Sequence, residues 1–314
     1  MPEILKINGE KIARGESRLV NLKIARLPTY TNIDLPVTVM RAKKDGPVLL
    51  LSGGLHGDEI NGIEIVRRLI GRKLVTPESG TVIAIPLMNI YGFIQNVRGV
   101  PDGKDINRSF PGRKNGSLAM LVAYTIMNEI VPKIDYGIDF HTGGASRANF
   151  PQIRCVFDIQ KNIELATAFG APVTLHSSLI NKSFRKAAYN KGKHILVYET
   201  GESMRLDEKG IQIGMDGTLR VMKHLGMISK APRSKKTEFY ENSTWIRATY
   251  AGLFHAKADL GETITKKQVI GVITDPFGNE KFSIKSKHDG RIIGLNYSPV
   301  LHKGDAIAHL AKKN

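Results

Sequence analysis

His56 and Glu59 stand three residues apart in Leu-His-Gly-Asp-Glu (55–59), directly after an apolar run at 47–53. His141 closes a second such run, Ile-Asp-Phe-His-Thr-Gly-Gly (138–144). Zinc takes four ligands, and a catalytic site leaves one position for water. Two histidines and a carboxylate at the ends of buried strands make such a set. The close pair forms one edge, and the distant histidine ties a second strand end to it. The glycines beside both histidines let backbone and water approach. A lone H-x-x-E recurs by chance, so the context carries the reading; the competing one is two loop histidines hydrogen-bonded to their surroundings. Asp58 and Asp139 are candidates to orient a ligand histidine. The pattern points to a metallohydrolase.

An amide hydrolase also needs a base that takes a proton from water and hands it to the leaving amine. Glu199, at the end of Ile-Leu-Val-Tyr-Glu (195–199), is the first candidate. Glu202 is its rival, although it reads more simply as an ion-paired surface residue. Arginine grips a carboxylate with two parallel hydrogen bonds, and Asn107 with Arg108, in Asp-Ile-Asn-Arg-Ser-Phe-Pro (105–111), could clamp one on a substrate. Arg98 could polarise the scissile carbonyl and stabilise the oxyanion, or be a solvated loop residue.

Elements must bring these side chains together. Residues 3–45 read as short strands and turns punctuated by Pro28, Pro36 and Gly46. The runs 47–53, 80–86, 136–140 and 195–199 read as buried strands. Helical spacing appears over 61–74, 117–131, 163–169 and 211–225. Strand and helix alternate, which predicts an α/β domain over 1–230 with a mainly parallel sheet and its site at the strand carboxyl ends. Residues 87–116 read as one long polar loop, a length that is usually functional or disordered. A Ser/Lys/Pro-rich stretch at 229–237 predicts a linker. Beyond it, short glycine-separated segments predict a small all-β unit over 231–314.

Composition limits the alternatives. The 314 residues are 41% hydrophobic, enough for a substantial core. No run approaches the ~20 apolar residues of a membrane span, and the first residues lack the apolar centre of a signal peptide. The single cysteine, Cys155, excludes an internal disulfide and fits a reducing, cytoplasmic setting. Its apolar surroundings favour a buried structural thiol over a nucleophile. The net charge of +17 is spread along the chain, without zinc-finger spacing or an RNA-binding aromatic motif. It reads as a solvated basic surface, or as steering of an anionic substrate or acidic partner; specific nucleic-acid binding and membrane association are not expected.

Four motifs in order, His-Gly-Asp-Glu (56–59), Asp-Ile-Asn-Arg-Ser-Phe (105–110), Asp-Phe-His-Thr-Gly (139–143) and Tyr-Glu-Thr-Gly-Glu (198–202), resemble the succinylglutamate desuccinylase/aspartoacylase family. That family belongs to the wider zinc carboxypeptidase-like fold, and the likeness spans roughly residues 45–225. It implies one zinc on His56, Glu59 and His141, Glu199 as general base acting on the zinc-bound water, and Asn107 with Arg108 on the substrate carboxylate. It implies Arg98 less directly, because the spacing before the Asn-Arg pair varies. The implied activity is hydrolysis of the amide of a small N-acylated amino acid with a free carboxylate. A carboxypeptidase acting on peptide or protein C-termini is the alternative. A non-catalytic protein docking an acidic partner is a third reading, which would need a broken site. The segment 146–154 resembles a mostly uncharacterised branch, where Arg147 and Arg154 either contact substrate or serve structure. The unit 231–314 resembles a lipoyl-type β-sandwich, but at the turn where carriers bear their modified lysine this chain has His288-Asp289-Gly290. That unit is therefore expected to be structural or substrate-gating, and self-association into a homo-oligomer is expected.

Overall fold

The structure, a computed structural model, describes residues 4–26, 29–144 and 146–313; Pro28 lies outside them. The chain opens on a small hairpin, β1 (Leu5–Ile7) and β2 (Glu10–Ile12), then a long one, β3 (Ser17–Arg26) and β4 (Asn32–Arg41). The expectation of only short strands here is corrected. Alternate residues of β3 (Val20, Leu22, Ile24) are buried, so a ten-residue strand covers the core with one face. Pro36 sits inside β4, paired with Asn21, beyond the stretch 38–41 where β4 also pairs β6 (Ser79–Ile85).

Four runs form the parallel centre: β5 (Lys44–Ser52), β6, β7 (Tyr136–Gly143) and β10 (His194–Glu202). Their side chains are buried on both faces. Leu50, Ile83 and Ile195 join one core cluster, and Leu49, Leu51, Val82 and Leu196 the other. Two-sided burial explains their unbroken apolar character. Helices α1 (Ile60–Gly71), α4 (Gln160–Phe169) and α6 (Glu208–His224) cover one face, and α3 (Leu118–Thr125) and α5 (Phe184–Tyr189) the other. The expected helix over 117–131 changes pitch after Thr125, passing through a π turn at 126–130 and a 3-10 turn at 131–133.

Two further strands extend the sheet beyond β10. Strand β8 (Arg147–Cys155) runs antiparallel to it, and β9 (Val173–His176) lies parallel beside β8. The remaining strands are β11 (Glu238–Tyr240), β12 (Ser243–Arg247), β13 (Gly252–Ala256), β14 (Thr263–Ile264), β15 (Val269–Thr274), β16 (Lys281–Lys285), β17 (Gly290–Asn296), β18 (Val300–Leu301) and β19 (Ala306–Lys312). Strand β11 lies parallel to β9, and the others form antiparallel pairs that enclose a separate cluster including Phe254, Ile264, Ile273, Ile292 and Leu310. Strand β17 pairs with β8, however, so the mixed sheet continues as β12-β19-β17-β8-β10-β7-β5-β6-β4-β3. Among the described residues, no helix is long and apolar enough to cross a membrane.

The stretch 87–116 is not a bare loop. It holds α2 (Ile90–Gln95) and a 3-10 turn at Ile106–Arg108, both begun by side-chain caps. Asn89 Oδ1 accepts from Gly92 N–H at 2.9 Å, while its amide nitrogen donates to the carbonyls of Arg98 and Gly99. Short capped turns lack the 3.6-residue apolar period, so the polar composition concealed them.

Helix α1 lies directly on β7. A Cβ at Gly62 would run into the Phe140 carbonyl oxygen, so glycine permits the close approach that sets Glu59 beside His141. Gly62→Ala is expected to cost about 1–3 kcal/mol through this overpacking. A urea midpoint equal to that of the wild type would show that α1 can shift freely.

Candidate metal and catalytic site

His56 and Glu59 follow β5, and Glu59 occupies the position just before α1. Its carboxylate makes no capping bond to the helix and turns to the histidines instead. Glu59 Oε1 lies 2.6 Å from His56 Nδ1, and Oε2 lies 2.8 Å from His141 Nδ1. Oε2 also accepts from the backbone N–H of Thr142 at 3.1 Å. The three residues are buried, and their ligand atoms lie within 4.8 Å of one another.

Zinc fits this group. Both ring nitrogens of His56 are buried and make no hydrogen bond, although Nδ1 is so close to Glu59 and Nε2 is 3.3 Å from Asp105 Oδ1. A lone pair held against a carboxylate without hydrogen-bond geometry is what a shared cation would satisfy, and two imidazoles with one carboxylate are a zinc donor set. The three side chains also shift one another's titration. Burial pushes the Glu59 carboxyl up, but His56 and His141 outweigh it and hold it well below the ordinary range. Burial lowers His141, but Asp139 and Glu59 outweigh it and raise it well above its ordinary value.

The orienting partners follow from the strands. Asp139 and His141, two apart on β7, share a face, and Asp139 Oδ2 lies 2.7 Å from His141 Nε2. Asp139 is fixed in turn by Ser52 Oγ, which donates at 2.7 Å from the paired position on β5. Asp58 does not take this role: its Oδ2 accepts from Ser203 Oγ at 2.9 Å. Asp105 stands by His56 instead. Sequence reasoning had it only as the first residue of the Asn107–Arg108 motif, and its approach to His56 depends on the fold of the 87–116 stretch.

Strand register brings Glu199 alongside. On parallel β10 it pairs with His141 of β7, so both side chains project from the same face. Glu199 Oε2 accepts from Asn149 Nδ2 at 2.8 Å, and Arg154 Nη1 is 3.6 Å from Oε1. Glu202 lies off the cavity, 3.5 Å from Arg205 Nε. Arg98 bridges Glu59 Oε1 at 3.1 Å and Asp105 Oδ2 at 3.0 Å. Asn107 Oδ1 accepts from the backbone N–H of Phe184 at 2.9 Å, leaving the donor end of its amide for the cavity. Arg108 Nη1 donates to the Asn107 carbonyl at 2.7 Å.

One cavity of about 250 Å³ is lined by His56, Glu59, His141, Glu199, Arg98, Asn107 and Arg108 together. Arg147 and Arg154 line it as well, as do three residues that the sequence did not single out: Asn149, Arg185 and Trp245. Arg185 is buried, with its guanidinium donating to the carbonyls of Arg154, Ser177 and Ser178, and burial lowers it to about 10. It was concealed in a basic segment that looked solvated. Trp245 arrives from β12, far along the chain, and no local signal marks it. Cys155 is buried, and burial pushes its thiol up to about 12, which suits a structural role.

Residues 45–225 match the succinylglutamate desuccinylase/aspartoacylase catalytic domain. The chain is 28% identical over 300 residues to the N-alpha-acetyl-L-2,4-diaminobutyric acid deacetylase of Halomonas elongata, covering 88% of this chain and 85% of that protein. It is similar to the crystal structure of a succinylglutamate desuccinylase/aspartoacylase from Rhodobacter sphaeroides, with 27% identity, a TM-score of 0.84 and coverage of 95% and 96% of the two chains. The fold also matches the product-bound ectoine utilization protein EutE (DoeB) of Ruegeria pomeroyi, with 21% identity, a TM-score of 0.85 and coverage of 100% and 99%.

Proposed function

The chain belongs to the succinylglutamate desuccinylase/aspartoacylase family, and from that premise we propose that it is a zinc-dependent hydrolase of the amide bond of a small N-acylated amino acid. The observation that carries the reading is the single cavity shared by the His56–Glu59–His141 group, Glu199, Asn107 and Arg108. The deacetylase of Halomonas elongata supports the reaction class. Residues 1–230 form the catalytic unit in this reading and 231–314 an appended β unit, which its separate apolar cluster supports.

His56, Glu59 and His141 would hold the zinc. Bound there, it would polarise a carbonyl and bring the pKa of water toward ~7. Asp139 holds the His141 ring in place through Nε2. Glu199, oriented by Asn149, takes the proton from the attacking water on its carboxylate and delivers it to the departing amine nitrogen. Asn107 donates its amide and Arg108 its guanidinium to the substrate carboxylate, which sets the register of the scissile bond. Arg98, at the rim beside Glu59, is the group we assign to the developing oxyanion. The small cavity, with Trp245 in its lining, favours an N-acyl amino acid over a peptide.

The test compares N-acetyl- and N-succinyl-amino acids with short peptides, using protein stripped of metal and protein reloaded with zinc. The expected result is amino acid release that chelation abolishes and zinc restores. Undiminished turnover by stripped protein, or turnover of peptides alone, would overturn the assignment.

A further inference from the structure

Apart from Arg185, whose guanidinium is taken up by backbone carbonyls, the mechanism leaves two arginines of the cavity unused. Strand β8 carries both, and a bulge sets their direction. Between Glu199 and Gly201, two steps along β10 face three along β8, from Gln152 to Asn149. The extra residue falls at Phe150–Pro151, and a bulge is where a strand tolerates proline. It reverses the alternation, so Arg154 emerges on the same face as Arg147 and Asn149.

Among the described residues, Arg147 has no carboxylate of its own, and Arg154 has only that of Glu199. No acidic group among the described residues lies within 4.0 Å of Arg147, whose Nε donates to the Gly144 carbonyl at 3.1 Å. The sole acidic neighbour of Arg154 within that distance, among the described residues, is Glu199 at 3.6 Å, and Arg154 Nε is buried without a partner. The floor beneath them is neutral. Across the sheet, Trp245, His309, Gly294 and Asn149 occupy one row of paired positions. The Trp245 ring stacks on His309 at 4.3 Å, and the Arg147 guanidinium lies 5.5 Å from the Trp245 ring centre. Gly294 keeps the row low: a Cβ there would stand 3.3 Å from Asn149 Oδ1. Burial, with the charges of Arg154 and Arg147, depresses His309 to about 3, so it adds no charge. One guanidinium over a neutral aromatic platform, and a second beside it whose one acidic neighbour among the described residues is Glu199, suit a further anion in a cavity open to small molecules.

We propose that Arg147 and Arg154, with Trp245 against Arg147, form a second anion-binding subsite, separate from Asn107 and Arg108, that holds a further carboxylate of the substrate. The proposal rests on the hydrolase reading above. The C-terminal unit thereby takes part in selectivity: it supplies the platform that holds Arg147 over the cavity, and an amine-bearing substrate is repelled.

The experiment uses zinc-loaded protein and four substrates. N-acetyl-L-alanine has one carboxylate; N-succinyl-L-alanine adds a second on the acyl half and N-acetyl-L-glutamate a second on the amino-acid half; Nα-acetyl-L-lysine adds an amine. Wild type is expected to favour at least one dicarboxylate over N-acetyl-L-alanine by about tenfold in kcat/KM, the effect of one charge-assisted contact, with the lysine compound poorest. The favoured compound identifies the half that carries the second acid. Arg147→Gln is expected to bring that ratio within about threefold, and Arg147→Lys, which keeps the charge but not the fork, to retain part of it. No preference in wild type, or a preference unmoved by Arg147→Gln, overturns the proposal. Succinate binding by calorimetry reads the subsite without catalysis, with about tenfold weaker binding expected in Arg147→Gln. Equal affinity overturns the subsite. Failure to hydrolyse any N-acyl amino acid counts against the proposed function instead.

Discussion

His141→Ala is expected to lose bound zinc and to lower kcat/KM by at least about a thousandfold, the several kcal/mol that a Lewis-acidic metal supplies. In the proposed site, His141 is the ligand that would join two strand ends. Its Nδ1 meets Glu59 Oε2 at 2.8 Å, and its Nε2 is held by Asp139 at 2.7 Å. Removing the ring leaves two protein ligands for a metal that is ordinarily held by three or four. It also strips Glu59 and Asp139, both buried, of their shared partner, and breaking a buried charge pair costs about 3–5 kcal/mol. Stability should therefore fall with activity. Asp139→Asn gives a graded comparison: the ligand remains but its orientation weakens, at about 10–100-fold in metal affinity or activity. Metal analysis of the purified variants, alongside steady-state rates and urea unfolding, separates these effects. Stoichiometric zinc and near-normal rates in His141→Ala would remove the His56–Glu59–His141 assignment.

Glu199→Gln is expected to keep zinc and to lose about 10²–10⁴ in kcat, the contribution of a positioned general base. The substitution preserves shape, and the glutamine oxygen can still accept from Asn149 Nδ2. The lost function is proton transfer, so KM should change much less than kcat. Glu199 is not within the tight His56–Glu59–His141 group, which is why metal content should be unaffected. A variant with full zinc and full activity would eliminate Glu199 as the base. Glu202→Gln is the matched control, since Glu202 faces Arg205 and lies outside the cavity.

Legibility in the sequence differed from residue to residue. His56, Glu59, His141 and Glu199 each follow an apolar run, and two-sided burial makes such runs continuous and easy to recognise. Their meeting point could be anticipated because parallel strands present their carboxyl ends at one edge. The boundaries of α1, α4 and α6 differed from the expected spans by at most a few residues, since an amphipathic period is a local property. The 87–116 stretch was less legible. Its helix and its turn are built by Asn89 and Asp105 caps, which act over two or three residues. Asp58, a candidate to orient a ligand histidine, turns to Ser203 instead, because nearness in sequence does not fix direction. The stretch 87–116, well further along the chain, brought Asp105 to His56 instead.

By itself, the sequence determined the candidate groups: its residue types, placed after strand-length apolar runs, specified two imidazoles and two carboxylates at neighbouring strand ends, with an Asn-Arg pair in the polar stretch between them. These are consequences of local composition and periodicity. Tertiary structure alone decided what surrounds them. The bulge that turns Arg154 to the face of Arg147 is set by pairing with β10. The Trp245 platform exists because β12, β19 and β17 extend the catalytic sheet beyond β8. Cross-strand register joins residues a hundred positions apart through backbone hydrogen bonds that every residue type but proline can donate and accept, so side-chain identity leaves no trace of it in the sequence.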